Sequence, residues 1–201
     1  MAAIESPRVG TFPTEQSQAG APWKCDVFAY HKMGESGILT REDRVELLNG
    51  EIIHMSPIGP FHGGMSKQLN ALLTSALGPR ALIAVSDPIR LDDFSEPQPD
   101  FSILHPRPDF YRSSHPTPES VYLLIEIMDS SASFDRAKKL PRYAQAGIPQ
   151  VWLIDINAET IEDHRKPAGD KYTQIQLANR AQSVSLEAFP EISFPVAAIL
   201  G

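Results

Sequence analysis

Val121 to Met128 reads Val-Tyr-Leu-Leu-Ile-Glu-Ile-Met, a nearly all-apolar run with one acid, Glu126, inside it. A strand with one wet face alternates apolar and polar residues. A run without alternation suits a strand covered on both faces, in the interior of a sheet. A second run, Val151 to Ile156, reads the same way. Between them, Ser133 to Ala146 has helical character and stops at Gly147-Ile148-Pro149. Pro141 lies inside that helix, so a kink or a late start is expected. These elements call for a mixed α/β sandwich built on one main sheet.

The preceding chain supplies more of it. Asp26 to Met33 suits a short helix, ended by Gly34 and Gly37, and Thr40 to Asp43 one capped turn. Asn49-Gly50 sits between Val45-Glu46-Leu47-Leu48 and Glu51-Ile52-Ile53-His54-Met55. That pair is a strong hairpin signal, because both turn positions need positive φ. A two-residue turn pairs Leu48 with Glu51 and Glu46 with Ile53. Glu46 and Glu51 then share a face with Leu48, Ile53 and Met55; the simplest explanation is that this face is wet at one end. His62 to Leu77 carries Met65, Leu69, Leu72, Leu73, Ala76 and Leu77 at helical period, stopped by Gly78-Pro79. His62 falls at its start, on the buried side. Strands are expected at Ala81 to Val85, Ile89 to Leu91 and Phe101 to Leu104, and a long loop at His105 to Glu119. Ile161 to His164 and Tyr172 to Leu177 suit a closing hairpin, and Val184 to Leu200 a tail with a short apolar end. Residues 1–22 lack periodicity and read as an arm, which leaves 23–201 as a single domain.

With 42% apolar residues the chain can fill a core. No apolar run reaches the roughly 18 residues that suggest a membrane span, so no membrane partner is expected. The single cysteine, Cys25, excludes an intrachain disulfide framework and a cysteine-based zinc cage, and a cytoplasmic location is expected. A net charge of −7 argues against a general nucleic-acid coat protein but not against a nuclease, which needs only a local positive groove and gathers acids at its metal.

Phosphodiester cleavage needs a positioned water, neutralisation of charge on the phosphate and help for the leaving oxygen. Mg²⁺ supplies much of this and takes one or two carboxylates from protein. A lysine beside it orients water or stabilises charge. Asp100 begins one expected strand and Glu126 lies inside the next. A carboxylate among Leu123, Leu124, Ile125 and Ile127 has to be paired, metal-bound or at the sheet's edge. Lys139 follows on the helix. Each residue has a plainer reading: Asp100 as a turn residue after Pro99, Glu126 as a strand-end acid, Lys139 as the partner of Asp135 in a surface i,i+4 pair worth about 0.3–0.5 kcal/mol.

Pro99-Asp100 followed by Glu126-Ile127-Met128 resembles the PD-(D/E)XK nuclease pattern, with Met128 where that pattern has its lysine. More specifically, the chain resembles the Uma-two family of restriction endonucleases. The resemblance rests on Glu46-Leu47-Leu48-Asn49-Gly50-Glu51, His62, Gln98-Pro99-Asp100, Glu126-Ile127 with Ser130, Asp135 to Leu140 with Tyr143-Ala144, and Ala146 to Asp155. It covers roughly Asp26 to His164. It implies a restriction-endonuclease-like fold, a central mixed β-sheet flanked by helices with an N-terminal hairpin. It also implies that the catalytic lysine rides on the helix after the strand, where Lys139 stands. On this resemblance Asp100 and Glu126 bind the metal, Mg²⁺ or Mn²⁺ in its place. Lys139 serves the water or the phosphate, and His62 and Glu46 are auxiliary. DNA is the expected substrate, and cutting both strands with one site per chain suggests a homodimer. The alternative is the same fold without cleavage, as a module binding nucleic acid or a protein.

Other chemistries have little support. The six histidines, at 31, 54, 62, 105, 115 and 164, form no HxH or HxxxH pair, so spacing supports no zinc site. No nucleophile elbow, phosphate loop or dinucleotide fingerprint is present.

Overall fold

The structure, a computed structural model, describes residues 22–129 and 131–201. The expected arm, 1–22, lies outside these apart from Pro22. In chain order, α1 (Val27–Glu35) leads to the hairpin of β1 (Val45–Leu48) and β2 (Glu51–His54), then to α2 (Pro60–Leu77) and β3 (Leu82–Val85). Next come β4 (Phe101–Leu104), β5 (Val121–Met128), α3 (Ala132–Phe134), a π-turn (Asp135–Lys139) and α4 (Leu140–Gln145). The chain closes with β6 (Gln150–Asp155), β7 (Thr160–Ala168), β8 (Lys171–Asn179), β9 (Ser183–Leu186), β10 (Phe189–Pro195) and α5 (Val196–Leu200).

Six strands form the main sheet in the order β3-β4-β5-β6-β7-β8. Only β5 and β6 run parallel, joined by the α3–α4 crossover; the other neighbours are antiparallel, so the sheet is mixed. Both central strands are buried on both faces, as their composition requires. One face carries Leu123, Ile125, Ile127, Trp152 and Ile154 against Met65, Leu69, Leu73 and Leu77 of α2. Those four residues are spaced by one helical turn and fully covered, each worth about 1.5–3 kcal/mol of burial. The other face carries Leu124, Met128, Val151 and Leu153 against Tyr143, Ala144 and Ile148. Glu126 points to this second side, because it alternates with Ile125 and Ile127.

The hairpin has the expected register, Leu48 opposite Glu51 and Glu46 opposite Ile53. Asn49 and Gly50 both have positive φ, 54° and 77°. A Cβ on Gly50 would stand 2.7 Å from Lys24 Cβ, because the turn is pressed against the start of α1. Cys25 N–H donates to Gly50 C=O at 2.9 Å and Gly50 N–H to Phe94 C=O at 2.7 Å.

Two expectations need correction. Ile89 to Leu91 is not a strand: Ile89 N–H donates to Pro97 C=O and Leu91 N–H to Ser95 C=O within a buried loop. Pro88 and Pro97 have no N–H to extend a ladder there. The tail from Val184 is a hairpin, β9–β10, followed by α5. Val184, Leu186, Phe194 and Val196 alternate in pairs, and all four pack into the α2 side of the core. The helix containing Pro141 takes its irregularity as a π-turn. Pro141 cannot donate to the Ala137 carbonyl, and Leu140 N–H bonds the Asp135 carbonyl five residues back.

Candidate active site

The crossover from β5 folds the helix back over the strand it leaves. Asp135, Lys139 and Tyr143 form one stripe at four-residue spacing, and all three are buried. Lys139 Nζ lies 3.3 Å from Glu126 Oε1 on β5 and 3.2 Å from Glu46 Oε2 on β1. The expected surface pair of Asp135 with Lys139 is therefore not what forms. The helix is inward-facing along this stripe, and the ammonium reaches two acids from other elements. Tyr143 donates its hydroxyl to Glu126 Oε1 at 2.6 Å, and Ser131 donates to Asp135 Oδ2 at 2.5 Å.

Glu46 is not on a wet face. It is 1% exposed, whereas Glu51 on the same side of the hairpin is open to solvent. The free edge of β1 is covered by residues 95–98: Glu96 N–H donates to Leu47 C=O at 2.8 Å and Gln98 N–H to Glu46 Oε2 at 2.9 Å. That segment runs into Asp100. The β4–β5 register, with Phe101 opposite Ile125, continues by one residue to bring Asp100 opposite Glu126. Asp100 Oδ2 accepts Ile127 N–H at 2.7 Å and lies 3.2 Å from Nε2 of His62, at the start of α2. The Asp100 hydrogen bond is the main reason the His62 imidazole holds its proton more tightly than usual.

Asp100, Glu126, Lys139, His62 and Glu46 thus come together along one open cleft of about 1180 Å³. Arg41 and Arg44, after α1, line the same cleft. Lys138 is on the exposed side of the helix, and Arg142 is turned to Asp92 and Ser95. Met128, at the position where the nuclease pattern carries its lysine, is fully buried beside Tyr143.

Three carboxylates, Glu126, Glu46 and Asp135, act on one ammonium, and Asp100 lines the same cleft. Burial pushes the Glu126 carboxyl well above its usual range, and Asp135 and Asp100 add to that, against the pull of Lys139 and Tyr143. Burial likewise raises Asp135. Desolvation works against a charged Lys139, but Glu126, Glu46 and Asp135 together outweigh it and hold the ammonium above the ordinary lysine value. The cluster carries more acid than one lysine neutralises. Among the described residues no hydrogen bond uses Glu126 Oε2 or Asp100 Oδ1. Two carboxylates on neighbouring strands with unused oxygens are a fitting donor set for a hard divalent cation, which takes oxygen ligands.

Tyr143, Asp135 and Gln98 complete the arrangement and were not singled out as site residues from sequence. The signal for the first two was the four-residue stripe with Lys139.

The model of the family described as "Uma2: Putative restriction endonuclease" matches residues 29–197. Among solved structures, a putative nuclease belonging to DUF820 from Anabaena variabilis ATCC 29413 is similar, with a TM-score of 0.68 and 16% identity. The alignment covers 89% of this chain and 98% of that chain. At that identity the likeness speaks for the fold. A search of curated proteins finds no match.

Proposed function

The chain belongs to the Uma2 family of putative restriction endonucleases, and on that premise we propose that it is a metal-dependent endonuclease that hydrolyses DNA phosphodiester bonds. The observation that carries this reading is Lys139 Nζ, 3.3 Å from Glu126 and 3.2 Å from Glu46, in the cleft that Asp100 also lines. Asp100 and Glu126 would hold Mg²⁺, or Mn²⁺ in its place; each has a carboxylate oxygen that no hydrogen bond uses among the described residues. When bound, the ion neutralises charge developing on the phosphate and makes water a better nucleophile.

The chain's own residues do the rest. Lys139, whose ammonium Glu126, Glu46 and Asp135 favour, orients the water or stabilises phosphate charge. Glu46 fixes Lys139 from the hairpin side, and Tyr143 fixes the Glu126 carboxylate. His62 holds Asp100 from α2. Arg41 and Arg44 line the cleft beside its acids and offer phosphate contacts there. With one site per chain, cutting both strands calls for a two-fold homodimer. Among the described residues no helix is long and apolar enough to cross a membrane; a cytoplasmic enzyme fits the lone cysteine.

The test is incubation of purified protein with supercoiled plasmid and with single-stranded DNA, in Mg²⁺, in Mn²⁺ and in chelator. Metal-dependent nicking or linearisation is expected. Intact DNA under all conditions would replace this reading with a non-catalytic module of the same fold.

A further inference from the structure

A second group of metal-binding side chains lies outside the acids and lysine described above. His31 on α1, Glu96 in the segment covering β1, and His115 in the long loop between β4 and β5 converge. One donor atom from each lies within 4.8 Å of the others. His31 Nε2 is 2.7 Å from Glu96 Oε1, and the two imidazoles meet edge to face at 5.9 Å between centroids. No sequence spacing announces this trio, since each residue comes from a different element.

Glu96 is the informative member. It is 2% exposed, and its second oxygen, Oε2, is buried with no partner among the described residues. An unpaired buried carboxylate oxygen is costly, and native structures rarely leave one so. Both imidazoles, by contrast, are exposed. A cavity of about 420 Å³ opens over all three residues and gives an ion access from solvent.

We propose that His31, Glu96 and His115 form a binding site for a divalent transition metal, of which Zn²⁺ is the best match. Two imidazoles and one carboxylate make a borderline-soft nitrogen-rich set, which favours zinc over the Mg²⁺ suited to the all-oxygen pair Asp100 and Glu126. Tetrahedral zinc with ligand bonds of about 2.0–2.1 Å sets its donors about 3.3 Å apart. The three donors lie within 4.8 Å of one another, and the adjustment needed to close on an ion falls on exposed imidazoles. The fourth position faces the cavity and takes water. The ion ties the loop carrying His115 to α1. His31 and His115 also line the large cleft, so the tie sets one rim of it.

The experiment is zinc titration of the metal-free full-length protein, with bound zinc counted by mass spectrometry and Co²⁺ substitution followed by visible absorption. The same measurements are made on His115→Ala and on Glu126→Gln. Wild type is expected to bind zinc and to give the intense visible bands of four-coordinate cobalt. His115→Ala, an exposed position whose fold is checked by its unfolding curve, should lose on the order of 100-fold or more in zinc affinity, beyond the 10–100-fold typical of removing an outer-shell partner. Glu126→Gln should keep the site. Zinc should also slow tryptic cleavage after Arg112, in the same loop, in wild type and not in His115→Ala. Equal zinc affinity in wild type and His115→Ala, or loss of the site in Glu126→Gln, would overturn the assignment.

Discussion

Lys139→Met in metal-free protein probes the site's energetics most sharply. Methionine keeps most of the buried stem and removes the ammonium. Lys139 is 7% exposed at its side chain, and its partners Glu46 and Glu126 are 2% and 4% exposed, so solvent offers them little compensation. Removing one member of a buried ion pair costs about 3–5 kcal/mol, chiefly through the charge left behind. Here each abandoned carboxylate keeps one hydrogen bond, from Gln98 N–H and from the Tyr143 hydroxyl, which favours the lower end, about 3 kcal/mol. At 2–4 °C per kcal/mol for a domain of this size, the melting temperature should fall by about 6–12 °C. Urea unfolding at neutral pH in chelator measures the loss directly. The double variant Lys139→Met/Glu46→Gln should recover about 2 kcal/mol, since one stranded charge is gone. A single variant within about 0.5 kcal/mol of wild type, a change typical of ordinary surface sites, would refute the placement of Lys139 between two buried acids.

Gly50→Ala should destabilise by about 1–3 kcal/mol, because the turn holds φ at 77° and the added Cβ meets Lys24 Cβ at 2.7 Å; a urea curve matching wild type would contradict this. Arg136 donates to Asp155 at 2.8 Å and to Glu162 at 2.6 Å. Its hydrogen bond is the main reason Asp155 is held below the usual carboxylate range; Glu162 is held down first by His164 and then by Arg136. A depressed carboxylate contributes stability above its unfolded pKa and loses it as pH falls through the folded value. Arg136→Ala should therefore cost about 1 kcal/mol near neutral pH. The deficit should shrink below about pH 4, where the unfolded carboxylates protonate; a constant deficit from pH 7 to 3 would count against it.

The sheet was legible because its signals are local. Asn49-Gly50 set the hairpin register, and the lack of alternation in Val121–Met128 and Val151–Ile156 marked strands covered on both faces. The β9–β10 hairpin was missed because its alternation is only two residues long on each side. In the site, Glu126 was legible for the same reason as its strand: a carboxylate in a buried run needs partners. Glu46 was not, because burial of β1 depends on an irregular segment 50 residues away in sequence. Lys139 looked like a helix-surface residue paired with Asp135, and only the fold-back of the crossover, with its π-turn, turns that stripe toward the sheet. The structure thus brings these residues together in a way that spacing alone does not supply.

The central claim is that Glu126 serves a reaction rather than the fold. Glu126→Gln keeps the side-chain shape and an oxygen that accepts the Tyr143 hydroxyl, while removing a carboxylate that burial already disfavours. The direct test is plasmid cleavage in Mg²⁺ by wild type and Glu126→Gln, each first shown by its urea unfolding curve to be folded under the assay conditions. Cleavage by wild type and a loss on the order of 100-fold or more in the variant is the expected result, the scale at which one charge-stabilising group typically counts. Equal cleavage by the two folded proteins would contradict the assignment.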